Sequence, residues 1–147
     1  MRLTTFTDFG LRTLMRLAGD TGRLFTTDEI ANEFAISRNH LVKVIQDLSA
    51  AGFVETHRGR GGGFRLAIPA EKIRIGEVVR RLESRQALVE CFREDGGACA
   101  LTPRCLLKGR LAKAREAFYR ELDATTLAEC AYPGRKRKVA TSRAEVA

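Results

Sequence analysis

The sequence has no apolar run approaching the roughly 20 residues that span a bilayer, and no apolar segment near its start of the kind that directs secretion. Those absences exclude a membrane-spanning helix and lead to the expectation of a cytoplasmic protein with no membrane partner. No Cys-x-x-Cys pair occurs, which removes the usual dithiol redox motif, and no tight Cys-x2-4-Cys knuckle announces zinc. No Gly-Lys-Ser/Thr triplet is present, and Gly59-x-Gly61 is followed by Phe64 where a dinucleotide fingerprint needs its third glycine. Nucleotide-phosphate loops are thereby excluded. With no internal repeat and no catalytic constellation, an enzyme is not expected.

What is present fits one domain. A chain of 147 residues buries roughly 68–70% of its unfolded surface, enough for a core without disulfides or metal. A metal site here is therefore expected to sense rather than to hold the fold together. In a reducing compartment, four cysteines do not read as two disulfides. The net charge of +8 suits a polyanion, but half of it lies after Gly134, in Arg135, Lys136, Arg137, Lys138 and Arg143 less Glu145. That segment, residues 133–147, is short, polar and aperiodic, and reads as a disordered basic tail. Charge alone is thus weak support for DNA binding.

The pattern along the chain is stronger. Phe6, Phe9, Leu14, Met15, Leu17 and Ala18 recur at helical spacing over residues 5–18, with Asp8 and Arg12 together on another face. A second helix opens at Thr26, whose spacing to Glu29 is that of a capping box. Ser37 is placed to cap a third helix with Leu41, Val42, Val44, Ile45 and Leu48 inward, and Ala51-Gly52 ends it. Phe53–His57 and Phe64–Ala67 read as two strands flanking the tip Arg58-Gly59-Arg60-Gly61-Gly62-Gly63. A fourth helix covers about 75–82. A long helix is expected from Thr102-Pro103, cap then proline, to about Leu122. Leu107, Leu111, Ala114, Phe118 and Leu122 are spaced close to a heptad seam, which favours pairing with a second copy over packing inside one chain.

Helix, turn, helix and a two-stranded wing is the order of a winged helix-turn-helix, whose second helix enters the major groove by its N-terminal residues. Ser37, Arg38, Asn39, His40 and Lys43, with Gln46, occupy that outward face, and they include side chains able to read guanine or adenine. A polar face can also simply be solvated. Its coincidence with a tip carrying Arg58 and Arg60, and with Gly61 and Gly62 permitting close backbone approach, favours a DNA interface. The expected fold class is mainly α with a two-stranded β wing, a winged helix-turn-helix plus a long C-terminal dimerisation helix. Residues 1–84 would form the DNA-binding region, 85–106 a cysteine loop, and 103–130 the dimerisation helix and C-terminal helix.

Cys91, Cys99 and Cys105 lie within fifteen residues, in a loop containing Gly96, Gly97 and Pro103. One buried cysteine would be unremarkable; three widely spaced thiols on a loop suit an iron–sulfur cluster. Three thiols leave one position to fill. Cys130, His40 and His57 are candidates on chemistry alone, although both histidines fall in the DNA-reading region and Cys130 reads as an ordinary thiol. Asp8 would be an unusual hard oxygen ligand, and its position reads first as a surface carboxylate paired with Arg12.

Met1-Arg2-Leu3-Thr4, the segment Ile36 to Gly52, the wing Arg58–Gly63 and the triad Cys91, Cys99, Cys105 resemble the iron–sulfur winged-helix repressors (the IscR/NsrR-like family) over roughly residues 1–130. The start Met1 to Asp8 is most similar to the nitric-oxide-sensing branch, NsrR-like. In the cluster-assembly branch a ligating histidine follows the third cysteine, whereas Leu107 and Lys108 stand here. The resemblance implies a homodimeric repressor of a double-stranded DNA operator, with nitric oxide as ligand. It implies an iron–sulfur cluster, 4Fe–4S in preference to 2Fe–2S, held by Cys91, Cys99, Cys105 and Asp8 from the other subunit, with Arg12 in signal coupling. An iron- or cluster-status regulator of the same family is the alternative.

Overall fold

In a computed structural model, which describes residues 1–135, five α-helices and one two-stranded antiparallel sheet are arranged around a single core. The expected basic tail lies, from residue 136 onward, outside the described residues. Helix α1 spans Thr5–Ala18, as its apolar spacing predicts, and Thr4 caps it by accepting from the Thr7 backbone at 3.2 Å. Leu14 and Leu17 on its inner side are wholly buried. Gly10 makes the approach of the next layer possible, because a Cβ there would run into Leu82.

Helix α2 (Thr27–Phe34) has the expected capping box, the Thr26 hydroxyl accepting from Glu29 N and the Glu29 carboxylate accepting from Thr26 N at 2.8 Å. Ala35 then takes a left-handed conformation, φ 53°, and α3 (Arg38–Ala50) begins within three residues. Its Leu41, Val44 and Leu48 are wholly buried and Ile45 nearly so, which fixes the opposite face toward solvent. Ser37 is the N-cap residue, but its side chain makes no capping hydrogen bond, contrary to the sequence expectation; its backbone carbonyl accepts from Leu41 instead.

The wing is β1 (Val54–His57) against β2 (Gly63–Leu66), with Val54 opposite Leu66 and His57 opposite Gly63. Phe25, between α1 and α2, adds an isolated bridge to Phe64 through two backbone hydrogen bonds of 2.8 and 2.9 Å. A one-residue bridge has no periodicity to read, so this anchor of the wing was invisible in the sequence. Helix α4 (Ile75–Glu83) packs Val78 and Val79 inward against α1 and α5.

The last helix departs from expectation. Thr102–Arg104 form a separate 3-10 turn with proline near its start, and Cys105, extended at φ −82° and ψ 107°, caps α5 (Leu106–Asp123). Proline at 103 thus opens the short turn and not the long helix, because the extended backbone at Cys105 breaks the helical run between them. Of the expected seam, Phe118 and Leu122 pack on the core of this chain, while Leu107 stays 61% exposed. Leu106, outside the seam, is 90% exposed. The C-terminal half of α5 is held by α4, where Arg80 donates to both Asp123 carboxylate oxygens at 3.2 and 2.6 Å. Leu127 closes the core beyond it.

Gly76 of α4 faces the Tyr119 carbonyl and the Asp123 carboxylate so closely that no Cβ fits. Gly76→Ala should therefore destabilise the chain by about 1–3 kcal/mol, the usual cost of overpacking against backbone. Urea unfolding measures this; an unchanged midpoint would mean α4 and α5 can separate without loss.

Candidate nucleic-acid interface and cysteine loop

The solvent face of α3 carries Arg38, Asn39, His40, Lys43 and Gln46, all exposed. Among the described residues Asn39, His40, Lys43 and Gln46 make no side-chain hydrogen bond; Arg38 donates through Nε to Asp28 Oδ1 at 2.9 Å. That pair is exposed on both sides, 63% and 70%, so it is weak and easily exchanged. Ser37 is exposed just ahead of them, its hydroxyl unused by the helix.

At the wing tip Gly59 and Gly61 hold φ of 94° and 75°, the left-handed region in which side chains are strained. Gly62 donates from its backbone to the Gly59 carbonyl at 3.0 Å and leaves no room for a Cβ beside His57. The turn is thus built by its glycines. Arg58 and Arg60 project from it, exposed and with no ion-pair partner among the described residues. Glu55 on β1 is occupied elsewhere. It accepts from Arg65 at 2.6 Å and lies 3.2 Å from His57 Nε2; these bonds hold its carboxyl below the usual range, the Arg65 bond most. The wing base is therefore neutralised while its tip keeps two free guanidinium groups.

At the far end of α4 the chain enters the cysteine loop. Cys91 sits in a 3-10 turn (Glu90–Phe92), Cys99 follows a glycine turn, and Cys105 stands at the N-cap position of α5 without a side-chain capping hydrogen bond; all are half-buried free thiols. Two carboxylates organise the stretch between the first two. Asp95 takes both prongs of Arg93, at 3.0 and 2.6 Å, and accepts from Gly97 N at 3.0 Å. The Gly97 bond and then the Arg93 bond lower its pKa. Glu90 reaches across to accept from Ala98 N at 3.1 Å, so the neighbour of Cys91 is bonded to the neighbour of Cys99. Neither role was read from the sequence, where an acid beside a cysteine is an ordinary loop residue. Phe92 lies under the Arg115 guanidinium, 4.7 Å from ring centroid to Cζ, which ties the loop to α5.

Three soft thiols on one loop match an iron–sulfur cluster in donor type and leave one position to fill. Within one chain, however, they are not gathered. Among the described residues no three of His, Cys, Asp and Glu come together as metal ligands, so Asp8, Cys91, Cys99 and Cys105 do not meet here. Asp8 lies on α1, gripped by Arg12 through Nε–Oδ1 at 3.1 Å and Nη2–Oδ2 at 2.9 Å, as the four-residue spacing predicts. Cys130 and the two histidines also remain apart from any such group.

The sequence model of the Rrf2 family, described as an iron-dependent transcriptional regulator, matches residues 3–132. The chain belongs to the Rrf2 family. The family comprises DNA-binding transcription regulators, typically dimeric, and not enzymes. Solved relatives agree. IscR from T. potens superposes with a TM-score of 0.69 at 25% identity, over 88% of this chain and 85% of that one. The oxidised form of CymR from Staphylococcus aureus gives 0.69 at 26% identity, over 92% and 100%. A putative transcriptional regulator from Listeria innocua gives 0.68 at 31% identity, over 88% and 85%. This Rrf2-family chain thus has the expected winged helix-turn-helix, and no helix of its described residues is long and apolar enough to cross a membrane.

Replacing Arg58 and Arg60 together with alanine is expected to weaken operator binding. The slope of log affinity against log salt should shallow by about 0.9 for each phosphate that the tip no longer neutralises. Fluorescence anisotropy at several salt concentrations measures both; an unchanged slope would remove the tip from the interface.

Proposed function

We propose that this Rrf2-family regulator is a homodimeric transcriptional repressor that reads its operator with α3 and the wing and senses nitric oxide through an iron–sulfur cluster. The observation that carries the cluster reading is the loop itself, with three half-buried free thiols placed between the end of α4 and the start of α5. Cys91, Cys99 and Cys105 would hold the cluster, 4Fe–4S in preference to 2Fe–2S, and Asp8 of a second copy would supply the fourth donor. The bound cluster would supply iron with one weakly held oxygen ligand, a position open to a diatomic molecule.

The chain's own residues supply the rest. Residues 1–84 form the DNA-binding region, 85–106 the cysteine loop, and 103–130 the segment that pairs two copies. Leu106 and Leu107, exposed at the start of α5, and Leu101 (70% exposed), shortly before them in the chain, offer the apolar surface for pairing. Ser37, Arg38, Asn39, His40 and Lys43 face the major groove, while Arg58, Arg60, Gly61 and Gly62 approach the backbone or minor groove. Arg12 holds Asp8 when it is not a ligand, and α1 packs directly on α3, so a change at Asp8 is felt by the reading helix. A DNA partner places the protein in the cytoplasm.

A second reading has support too. The family is described as iron-dependent, and IscR is among the relatives, so an iron- or cluster-status regulator would use the same DNA chemistry. An anaerobic nitric-oxide titration separates them. For the first reading, the visible iron–sulfur absorbance should disappear at a few equivalents and the operator should be released. A cluster that survives the titration supports the second reading, and a chain with no such absorbance under anaerobic reconstitution rules out both. Asp8→Ala should alter the rate of cluster loss or the operator affinity of the loaded form; a variant identical to the parent removes Asp8 from the ligand set.

A further inference from the structure

Glu83 is the last residue of α4, 7% exposed, with no ion-pair partner among the described residues. A carboxylate is costly to bury without partners, and the C-terminal end of a helix, with its negative dipole, is an unfavourable place for one. Both costs are met from a different helix. Glu83 Oε1 accepts from Thr4 N at 2.8 Å, from Thr4 Oγ1 at 2.8 Å and from Thr7 Oγ1. Every donor belongs to the cap or first turn of α1, where the helix dipole favours negative charge. Seven residues separate Glu83 from Cys91 on one side, and on the other Thr7 is followed directly by Asp8.

We propose that Glu83 is a positioning residue that ties the root of the cysteine loop to the first turn of α1, so that a change in the loop resets Asp8 and, through α1, the DNA-reading helix. The clamp leaves little slack. One oxygen takes three donors, and Leu82 beside it packs on Gly10 so closely that α1 cannot slide without moving α4. From α1 the path is short, because α1 contacts both α3 and the wing strand β2. The Asp8 amide, bonded to the Thr4 carbonyl at 3.0 Å, reports directly on the clamped turn. The inference deepens the proposed sensing site and rests on that reading for its purpose, though not for its geometry.

The test needs no metal. In the full chain carrying Cys130→Ala, iodoacetamide alkylates Cys91, Cys99 and Cys105 and so perturbs the loop chemically. Hydrogen exchange at the Thr7–Leu11 amides and operator affinity are compared before and after. Alkylation should change Asp8 amide exchange in the parent and leave Glu83→Gln unchanged against its own baseline. Thr7→Val, which removes one donor, should give a reduced response and serves if Glu83→Gln does not fold. Losing one such charge-assisted bond corresponds to about tenfold in the local opening constant. An equal response in parent and variants, or none in the parent, overturns the proposal. A chain that takes up no cluster yet shows the Glu83-dependent response loses the cofactor reading and keeps this one.

Discussion

Burial of Leu14 and Leu17 beneath α3, α4 and the wing makes α1 the element against which the others are set. Because α3 buries Leu41, Val44, Ile45 and Leu48 in this core, its opposite face is left toward solvent. Close packing permits few alternative arrangements of such a helix, so the outward direction of Asn39, His40 and Lys43 follows from the inward packing of their neighbours. The wing obeys the same constraint through Phe64, buried and bridged to Phe25.

Elements with a clear period were legible in advance. The bounds of α1, the capping box of α2, the inner stripe of α3 and the antiparallel wing all follow from apolar spacing and cap chemistry within a few residues of chain. Contacts between segments distant in sequence were not legible. Glu83 lies just past the fourth helix expected over about 75–82, and only folding brings it to Thr4 and Thr7, more than seventy residues away. The start of α5 failed for a local reason. Thr102-Pro103 is a sound helix opening, but a short 3-10 turn satisfies the same preferences.

The candidate sites divide the same way. Exposed positions on α3 and at the glycine tip could be assigned from pattern, because the fold leaves them where periodicity puts them. For the cysteines, sequence supplied the donors but not their arrangement, and a single chain does not gather them. Helix α5 has the matching character. Its C-terminal half is fixed by the Arg80–Asp123 pair and by Tyr119, whereas its first turn presents leucines that nothing among the described residues covers. Arg80 keeps the Asp123 carboxyl below its usual range, so this link persists unless the medium becomes strongly acidic.

If Arg38 reads a base as proposed, the Arg38–Asp28 pair gives that reading a built-in competitor. In the free protein the guanidinium already has a carboxylate, so under the proposed reading a guanine would have to displace Asp28 before Arg38 could contribute. Added salt weakens that internal rival as well as the attraction between the chain and phosphates. Attraction to arbitrary DNA would therefore fall faster with ionic strength than the contact proposed for Arg38 at a matching base. On that reading the surface ion pair would filter against indiscriminate binding, at a cost to affinity kept small because both partners are solvated.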